Sequence, residues 1–229
     1  MFAILKKDVM AYFSSLMGWG TISSFFILMG IYVWVIDGNI LDYGFAELTV
    51  FFDLTPWFLL FFVPALSMSS FSEETDKGTF QLLRSLPIRV NQILAAKYLA
   101  LAMIVLMTLL PSALFVQSIA SLGFPTNNFD SSLIWGGFAA LFLLTLCYVF
   151  LDVLASSFTK KQPVAFILGL ALNFAMWQGS KELGLETANL YSHYDRMSMG
   201  VVNFGDLLYF SGFILVVWGI TRWRLRFLI

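Results

Sequence analysis

Six apolar stretches divide the chain, and its basic residues are concentrated in alternate gaps between those stretches. Short loops rich in Lys and Arg stay on the cytoplasmic side of a membrane, and a helix needs about 20 apolar residues to cross a bilayer. The pattern therefore predicts an all-α membrane protein with six transmembrane helices and both termini in the cytoplasm. The basic gaps hold 11 of the 13 Lys and Arg residues: Lys6, Lys7, Lys77, Arg84, Arg89, Lys97, Lys160, Lys161, Arg222, Arg224 and Arg226.

The overall composition excludes an ordinary soluble domain. Hydrophobic residues make up 59% of the chain and charged residues 12%, whereas charged residues are about a quarter of a soluble domain. Six spans of about 20 residues use about 120 positions, and the remainder is too short for another domain of ordinary size. We therefore expect a single membrane domain over residues 1–229. Nothing in the charge distribution indicates nucleic-acid binding, and the basic residues are expected to meet anionic membrane lipids or a cytoplasmic partner.

The order of polar and apolar segments predicts three features outside the spans. Residues 1–16 carry apolar residues at helical spacing opposite Lys6, Lys7 and Asp8, which indicates a helix in the cytoplasmic membrane interface; the alternative is a simple start to the first span. Residues 71–97 form the cytoplasmic loop between spans two and three. Residues 180–206 form an outer segment whose half-apolar composition suits helices on the membrane surface. The spans are predicted over residues 17–36, 55–70, 98–122, 133–158, 163–179 and 207–221.

The loop over residues 71–97 contains the signals of a short capped helix. Gly78 can take a positive φ and reverse the chain, Thr79 can cap a helix by accepting backbone N–H bonds, and Pro87 ends it. A short helix held just below the membrane is suited to insert into a groove of a soluble partner. The alternative is a folded cytoplasmic hairpin without a partner. The apolar residues of the predicted helix are Phe80, Leu82, Leu83 and Leu86.

The same loop resembles the one that follows the second span in type-2 ABC exporter permeases. The resemblance rests on Phe71-x-Glu73-Glu74, then Gly78-Thr79, Leu82-Leu83 and Pro87. Further segments, spread over nearly the whole chain, are similar to the gliding-motility, GldF-like branch of that family. They are Phe2-Ala3-Ile4-Leu5-Lys6-Lys7, Thr55-Pro56-Trp57-Phe58-Leu59-Leu60, Lys97-Tyr98, Ala155-Ser156-Ser157-Phe158-Thr159, Ser192-His193-Tyr194-Asp195 and Asp206-Leu207-Leu208-Tyr209-Phe210.

This resemblance implies a permease subunit of an exporter in the bacterial inner membrane. In that family two permease copies, or two related permeases, form the translocation path, and each rests on a cytoplasmic ATPase subunit. The sequence has no G-x-x-x-x-G-K-[ST] motif, so the ATPase is expected to be a separate chain. A periplasmic partner is expected of the gliding-motility branch. The ATPase-coupling residues that the resemblance implies are Glu73, Glu74, Lys77, Gly78, Thr79, Leu82, Leu83, Arg84 and Pro87.

The residue types that usually carry catalysis or bind metals are scarce. His193 is the only histidine and Cys147 the only cysteine, so no multi-histidine metal site can form, and Cys147 has no base near it in sequence. We expect no catalytic, metal or cofactor site, and we interpret His193 as a surface or interface residue of the outer segment. Gly136 and Ala140, four positions apart in span four, are candidates for a helix contact in a dimer.

Three polar residues lie within the predicted spans. Asp152 in span four differs from the other two because it can carry a charge. A buried acid in a membrane is costly and usually faces a partner or a cavity. It is either a functional group of the permease interior or an acid near the inner interface, close to Lys160 or Lys161. Asn173 and Gln178 in span five can form hydrogen bonds between helices.

Two other functions also fit the sequence. The first is a membrane scaffold, or force-transmitting subunit of an envelope or gliding machine, whose outer segment docks a periplasmic partner. The second is an ion-coupled secondary transporter that uses Asp152, which is disfavoured by the lack of other intramembrane acids and of repeat symmetry. No charge pattern in the spans selects among lipid, peptide, polysaccharide and small-molecule substrates, and a homodimer and a heterodimer both fit.

Overall fold

The computed structural model describes residues 2–36, 48–79, 90–122, 130–179 and 189–228, and the regular elements in those ranges are all helical. A 3₁₀ turn, Leu110–Ser112, joins α5 to α6, and a π-helical segment, Ala175–Gly179, continues α8. The predicted all-α class is therefore confirmed. The α-helices are α1 Phe2–Ser14, α2 Leu16–Trp34, α3 Thr49–Ser67, α4 Ser69–Asp76, α5 Val90–Leu109, α6 Ala113–Leu122, α7 Ser131–Ser156, α8 Gln162–Phe174, α9 Leu190–Ser198 and α10 Phe204–Leu228.

The number of helices able to cross a membrane is smaller than the six predicted. Four helical stretches of the described residues are long and apolar enough: Thr49–Asp76, Val90–Ser121, Ser131–Ser156 and Phe204–Arg226. The pair of α1 and α2 makes a fifth if the two helices, bent by 63°, are one span. The predicted span over 163–179 is not among them; there α8, Gln162–Phe174, changes into the π-helical segment Ala175–Gly179.

A break at Ser15 separates α1 from α2, where the sequence changes from amphipathic to apolar. The Ser15 hydroxyl accepts a hydrogen bond from the Gly18 amide at 2.9 Å and donates one to the Tyr12 carbonyl at 2.8 Å, as a serine does at a helix N-terminus. A side chain at Gly18 would overlap the Tyr12 carbonyl oxygen, so the bend depends on glycine there. The break lies next to the predicted boundary at residue 16, and the place of α1 in the membrane interface stays a prediction.

The centre of the bundle is α7, which contacts α3, α4, α5, α8, α9 and α10. Of its apolar window 72% is buried, against 22% for Phe204–Arg226. Gly137 lets the Phe52 ring of α3 lie directly on α7, and Gly136 lets the turn after α9 approach the helix backbone. Gly136 and Ala140, predicted as candidates for a dimer contact, are therefore used within the chain, where Ala140 is fully buried.

Candidate functional site

Four charged side chains meet where α1, α4 and α5 converge, and we call them the ionic joint: Lys7, Asp8, Glu74 and Lys97. Lys97 is its centre, with a side chain only 3% exposed. Its Nζ atom lies 3.0 Å from Glu74 Oε2 and 3.8 Å from Asp8 Oδ2, and it donates a hydrogen bond to the Ser70 carbonyl at 2.5 Å. The same ammonium lies 5.0 Å from the centre of the Phe71 ring, a favourable cation–π geometry.

Lys7 closes the ionic joint from the side of α1. Its Nζ atom donates to Glu74 Oε1 at 3.2 Å and lies 3.8 Å from Asp8 Oδ1. Glu74 therefore has one lysine at each carboxylate oxygen, and its side chain is 9% exposed. Since a buried charge that loses its partner costs about 3–5 kcal/mol, the ionic joint ties the three helices together more firmly than surface ion pairs do.

Asp8 completes the charge balance of the ionic joint, with two cations and two anions. Burial raises the pKa of the Asp8 carboxyl above its ordinary value, while the nearby charges of Lys97 and Lys7 act to lower it. Burial has the larger effect on this pKa. The carboxylate form of Asp8 is therefore less favoured in the folded chain than in water.

The orientation of α4, and with it the position of Glu74, is set by Ser156 at the end of α7. The Ser156 hydroxyl accepts hydrogen bonds from the Phe71 and Ser72 amides at 3.0 and 3.1 Å, and it donates to the Met68 carbonyl at 3.1 Å. Met68 lies between α3 and α4, where amides at the start of a new helix need acceptors. A residue 84 positions further along the chain thus caps α4.

The predicted coupling residues of the described loop lie on and just after α4. Glu73 and Lys77 form an exposed ion pair with 2.5 Å between Oε1 and Nζ. Gly78 has a φ of +70°, the backbone conformation predicted for a chain reversal. Thr79, predicted to cap the following helix, donates its hydroxyl hydrogen bond back to the Glu74 carbonyl at 3.3 Å. The remaining residues proposed for coupling lie outside the described residues: Leu82, Leu83, Arg84 and Pro87.

Glu74 is the predicted coupling residue that the structure brings into the ionic joint. Its three partners were not predicted as site residues. Lys97 was assigned to a basic loop by the positional rule for lysine and arginine, yet it lies within α5 and is buried. A signal was available, because Ala95, Ala96 and Tyr98 leave Lys97 as a single charge within an apolar run, and buried lysines are nearly always paired.

Asp152 and Asn173 form a polar pair inside the bundle, between α7 and α8. The Asn173 Nδ2 atom donates to both carboxyl oxygens of Asp152, at 3.0 and 3.2 Å. Both side chains are buried, and a side chain at Gly169 would overlap the Asp152 carboxyl group. The alternative, an acid close to Lys160 or Lys161, stays a prediction; the partner that the structure gives Asp152 is Asn173 of α8. Gln178 is half-buried in the π-helical segment.

A second charged cluster, the His193 triad, consists of His193, Arg196 and Asp206. Asp206 Oδ1 lies 2.5 Å from His193 Nδ1 and 2.6 Å from an Arg196 guanidinium nitrogen. The His193 ring stacks on Tyr209, with 3.9 Å between ring centres. Asp206 stands in the first turn of α10, where the helix dipole favours a carboxylate. His193 was interpreted as a surface or interface residue; the surface position is wrong, since the side chain is buried against α10.

The long apolar helices define a multi-pass α-helical membrane protein. A family model described as "ABC-2 family transporter protein" matches residues 2–198. The chain therefore belongs to the ABC-2 family and is a membrane permease component of an ABC transporter. No curated protein matches the chain significantly.

Proposed function

We propose that the chain is the permease subunit of an ATP-driven exporter in a bacterial inner membrane, with both termini in the cytoplasm. Two copies, or one copy and a related permease of the gliding-motility type, form the translocation path. Separate cytoplasmic ATPase subunits act on the loop over residues 73–87. The observation that carries this proposal is the ionic joint, which connects the start of that loop to the N-terminal helix and to α5 through buried charges.

The ionic joint gives the loop a physical route to the spans. A force on α4 moves Glu74, and Glu74 is held by Lys7 of α1 and Lys97 of α5. Because separating the buried Lys97–Glu74 pair costs several kcal/mol, α5 moves with α4. Lys7 is 60% exposed, so its pair with Glu74 is a weaker tie to α1. The Ser156 cap couples the same helix to α7, the central helix of the bundle. The loop is therefore positioned to displace several spans as one unit.

The experiment that tests this proposal replaces residues 80–87 by a Gly/Ser linker of equal length. We expect the ATPase subunit to be lost on co-purification, because the proposed contact is removed while the ionic joint is kept. The matched control replaces residues 123–129, predicted to be an outer loop, by the same kind of linker and keeps the ATPase bound. Unchanged ATPase co-purification after the 80–87 replacement would refute the coupling role.

The orientation of this loop has its own test. Cys147 is the only cysteine and is buried, so a Cys147→Ser background gives a chain without thiols. A cysteine placed at Gln81 should react only after the cytoplasmic side is opened to the reagent. Labelling by an impermeant thiol reagent in intact cells would reverse the orientation and remove the contact with the ATPase.

A second candidate function is a scaffold that transmits force to a periplasmic partner without a substrate of its own. An exposed apolar patch at the turn from α9 to α10 favours it: Met199, Val201, Val202 and Phe204. Such patches mark contacts with proteins or membranes. Substrate-stimulated ATPase activity in reconstituted liposomes supports the exporter. Capture of a periplasmic protein that is lost in a Val201→Ser/Phe204→Ser variant, without transport, supports the scaffold.

A further inference from the structure

A cavity of about 580 Å³ opens beside the ionic joint, between α1, α3, α4 and α5. This volume is in the range of small-molecule sites, about 300–1,000 Å³. One part of its lining is apolar and includes Leu66, Leu101 and Ile104. The other part carries six charged side chains: Lys7, Asp8, Glu73, Glu74, Lys77 and Lys97. A cavity with one charged and one apolar end, at the end of membrane helices, matches an amphiphile rather than a soluble ion.

The charges that line the cavity are balanced, with three cations and three anions. A simple anion at this site meets as many carboxylates as ammonium groups, so electrostatic attraction to it is small. A ligand that carries both signs can face each lysine with an anion and each carboxylate with a cation. The most accessible cations are Lys7 and Lys77, whose side chains are 60% and 64% exposed, and the Glu73 side chain beside Lys77 is 37% exposed.

We propose that this cavity binds one zwitterionic phospholipid of the amine-phosphate class. The phosphate faces Lys7 and Lys77, the ammonium faces Glu73, and an acyl chain lies along Ala65 and Met68, which line the cavity and are half-buried. Each Lys ammonium has three N–H donors, so Lys77 can keep its bond to Glu73 while it binds a phosphate oxygen. The site depends on the membrane location of the chain and not on the coupling of the loop to an ATPase.

The acyl chain distinguishes a lipid from a free headgroup. A lipid is concentrated at the membrane face of the protein because its acyl chains stay in the micelle, whereas a soluble headgroup stays dilute in water. The charged end of the cavity then selects the headgroup. Soluble phosphoethanolamine should therefore not stabilise the protein at concentrations where phosphatidylethanolamine does. Equal stabilisation by the free headgroup would overturn the lipid as the occupant.

The test compares thermal unfolding of the purified chain in detergent with added phosphatidylethanolamine, phosphatidylglycerol or an uncharged diacylglycerol, all with the same acyl chains. We expect the largest stabilisation from phosphatidylethanolamine. In Glu73→Gln the lining has one net positive charge. The affinity for phosphatidylglycerol relative to phosphatidylethanolamine should then rise about fivefold, as expected for one charge at an anionic lipid surface. Ala65→Phe, which fills the apolar side of the cavity, should remove the lipid effect.

Asp76→Asn is the matched control, because Asp76 is exposed on α4 and does not line the cavity. This variant loses the same charge from the same helix and should keep the preference for phosphatidylethanolamine. A shift in Asp76→Asn as large as that in Glu73→Gln would show a general surface-charge effect and overturn the site. Equal stabilisation of the unmodified chain by the three lipids would overturn it as well.

Discussion

Replacing Lys97 by Met should destabilise the protein far more than replacing Lys77 by Met, although Lys77 has the shorter ion pair. The Lys97–Glu74 pair is 3.0 Å long with side chains 3% and 9% exposed, whereas the Lys77–Glu73 pair is 2.5 Å long with side chains 64% and 37% exposed. Exposed pairs contribute little because water screens them. Burial, and not distance, therefore decides which lysine matters for stability.

The magnitude follows from the geometry of the ionic joint. Two unit charges 3.0 Å apart attract by ~5.5 kcal/mol at an effective dielectric constant of about 20. After Lys97→Met, Glu74 keeps Lys7 at 3.2 Å, so the loss should fall at the lower end of the 3–5 kcal/mol typical of a broken buried pair, about 3 kcal/mol. For a chain of 229 residues, that is a fall of about 6–12 °C in Tm.

The assay is thermal unfolding of purified variants under one detergent condition, completed as a double-mutant cycle. Lys77→Met should leave Tm within about 1 °C. The double variant Lys97→Met/Glu74→Gln should recover about 1–2 kcal/mol relative to Lys97→Met, because the buried Glu74 carboxylate, which Lys7 alone then holds, is replaced by a neutral amide. Equal Tm values for Lys97→Met and Lys77→Met, or strictly additive effects in the cycle, would refute the assignment of Lys97 as a buried charge paired with Glu74.

Three further predictions concern single buried groups. Ser156→Ala should cost about 1–3 kcal/mol in thermal unfolding, because amides at the start of α4 lose their acceptor, whereas Ser157→Ala should have a smaller effect. Asp152→Asn should keep Tm and substrate-stimulated ATPase activity near those of the unmodified chain, because an amide replaces the carboxyl with nearly the same shape; loss of transport alone would instead support ion coupling. Asp8→Asn should be neutral or stabilising at neutral pH, since burial raises the Asp8 pKa. The Tm difference between Asp8→Asn and the unmodified chain should vanish below the ordinary carboxyl pKa and grow as pH rises through the folded pKa. A Tm difference that shrinks as pH rises would contradict the sign of this pKa shift.

The positions of most spans could be predicted because hydropathy is a local property. The four long helices contain the predicted spans two and six and overlap spans three and four to within two residues at their ends. The break between α1 and α2 lies at the predicted change from amphipathic to apolar sequence. The predicted fifth span shows the limit of that signal. Residues 163–179 are apolar apart from Asn173 and Gln178, but hydropathy does not report that the α-helix changes to a π-helix at Ala175.

The ionic joint could be predicted only in part, because its members come from distant parts of the chain. Lys7 and Glu74 are 67 positions apart, and charge position alone treats Lys97 and Lys77 as equivalent members of one basic loop. The structure separates them, since one is buried among three helices and the other faces solvent. The His193 triad was missed for a similar reason: Asp206 and His193 lie on different helices and meet only when α9 packs beside α10.

The polar contacts around α4 have a physical role that apolar packing does not supply. In a bilayer, lipid tails are as apolar as leucine side chains, so helix contacts gain little from the hydrophobic effect and are fixed by packing and polar bonds. Glu74 and Ser156 give α4 such bonds to α1, α5 and α7. A helix held in register by directional bonds on several sides moves as a body rather than sliding along its neighbours. We therefore infer that weakening the ionic joint lowers the efficiency of coupling before it lowers the affinity for an ATPase, and that Glu74→Gln should reduce transport per ATP while the ATPase still co-purifies.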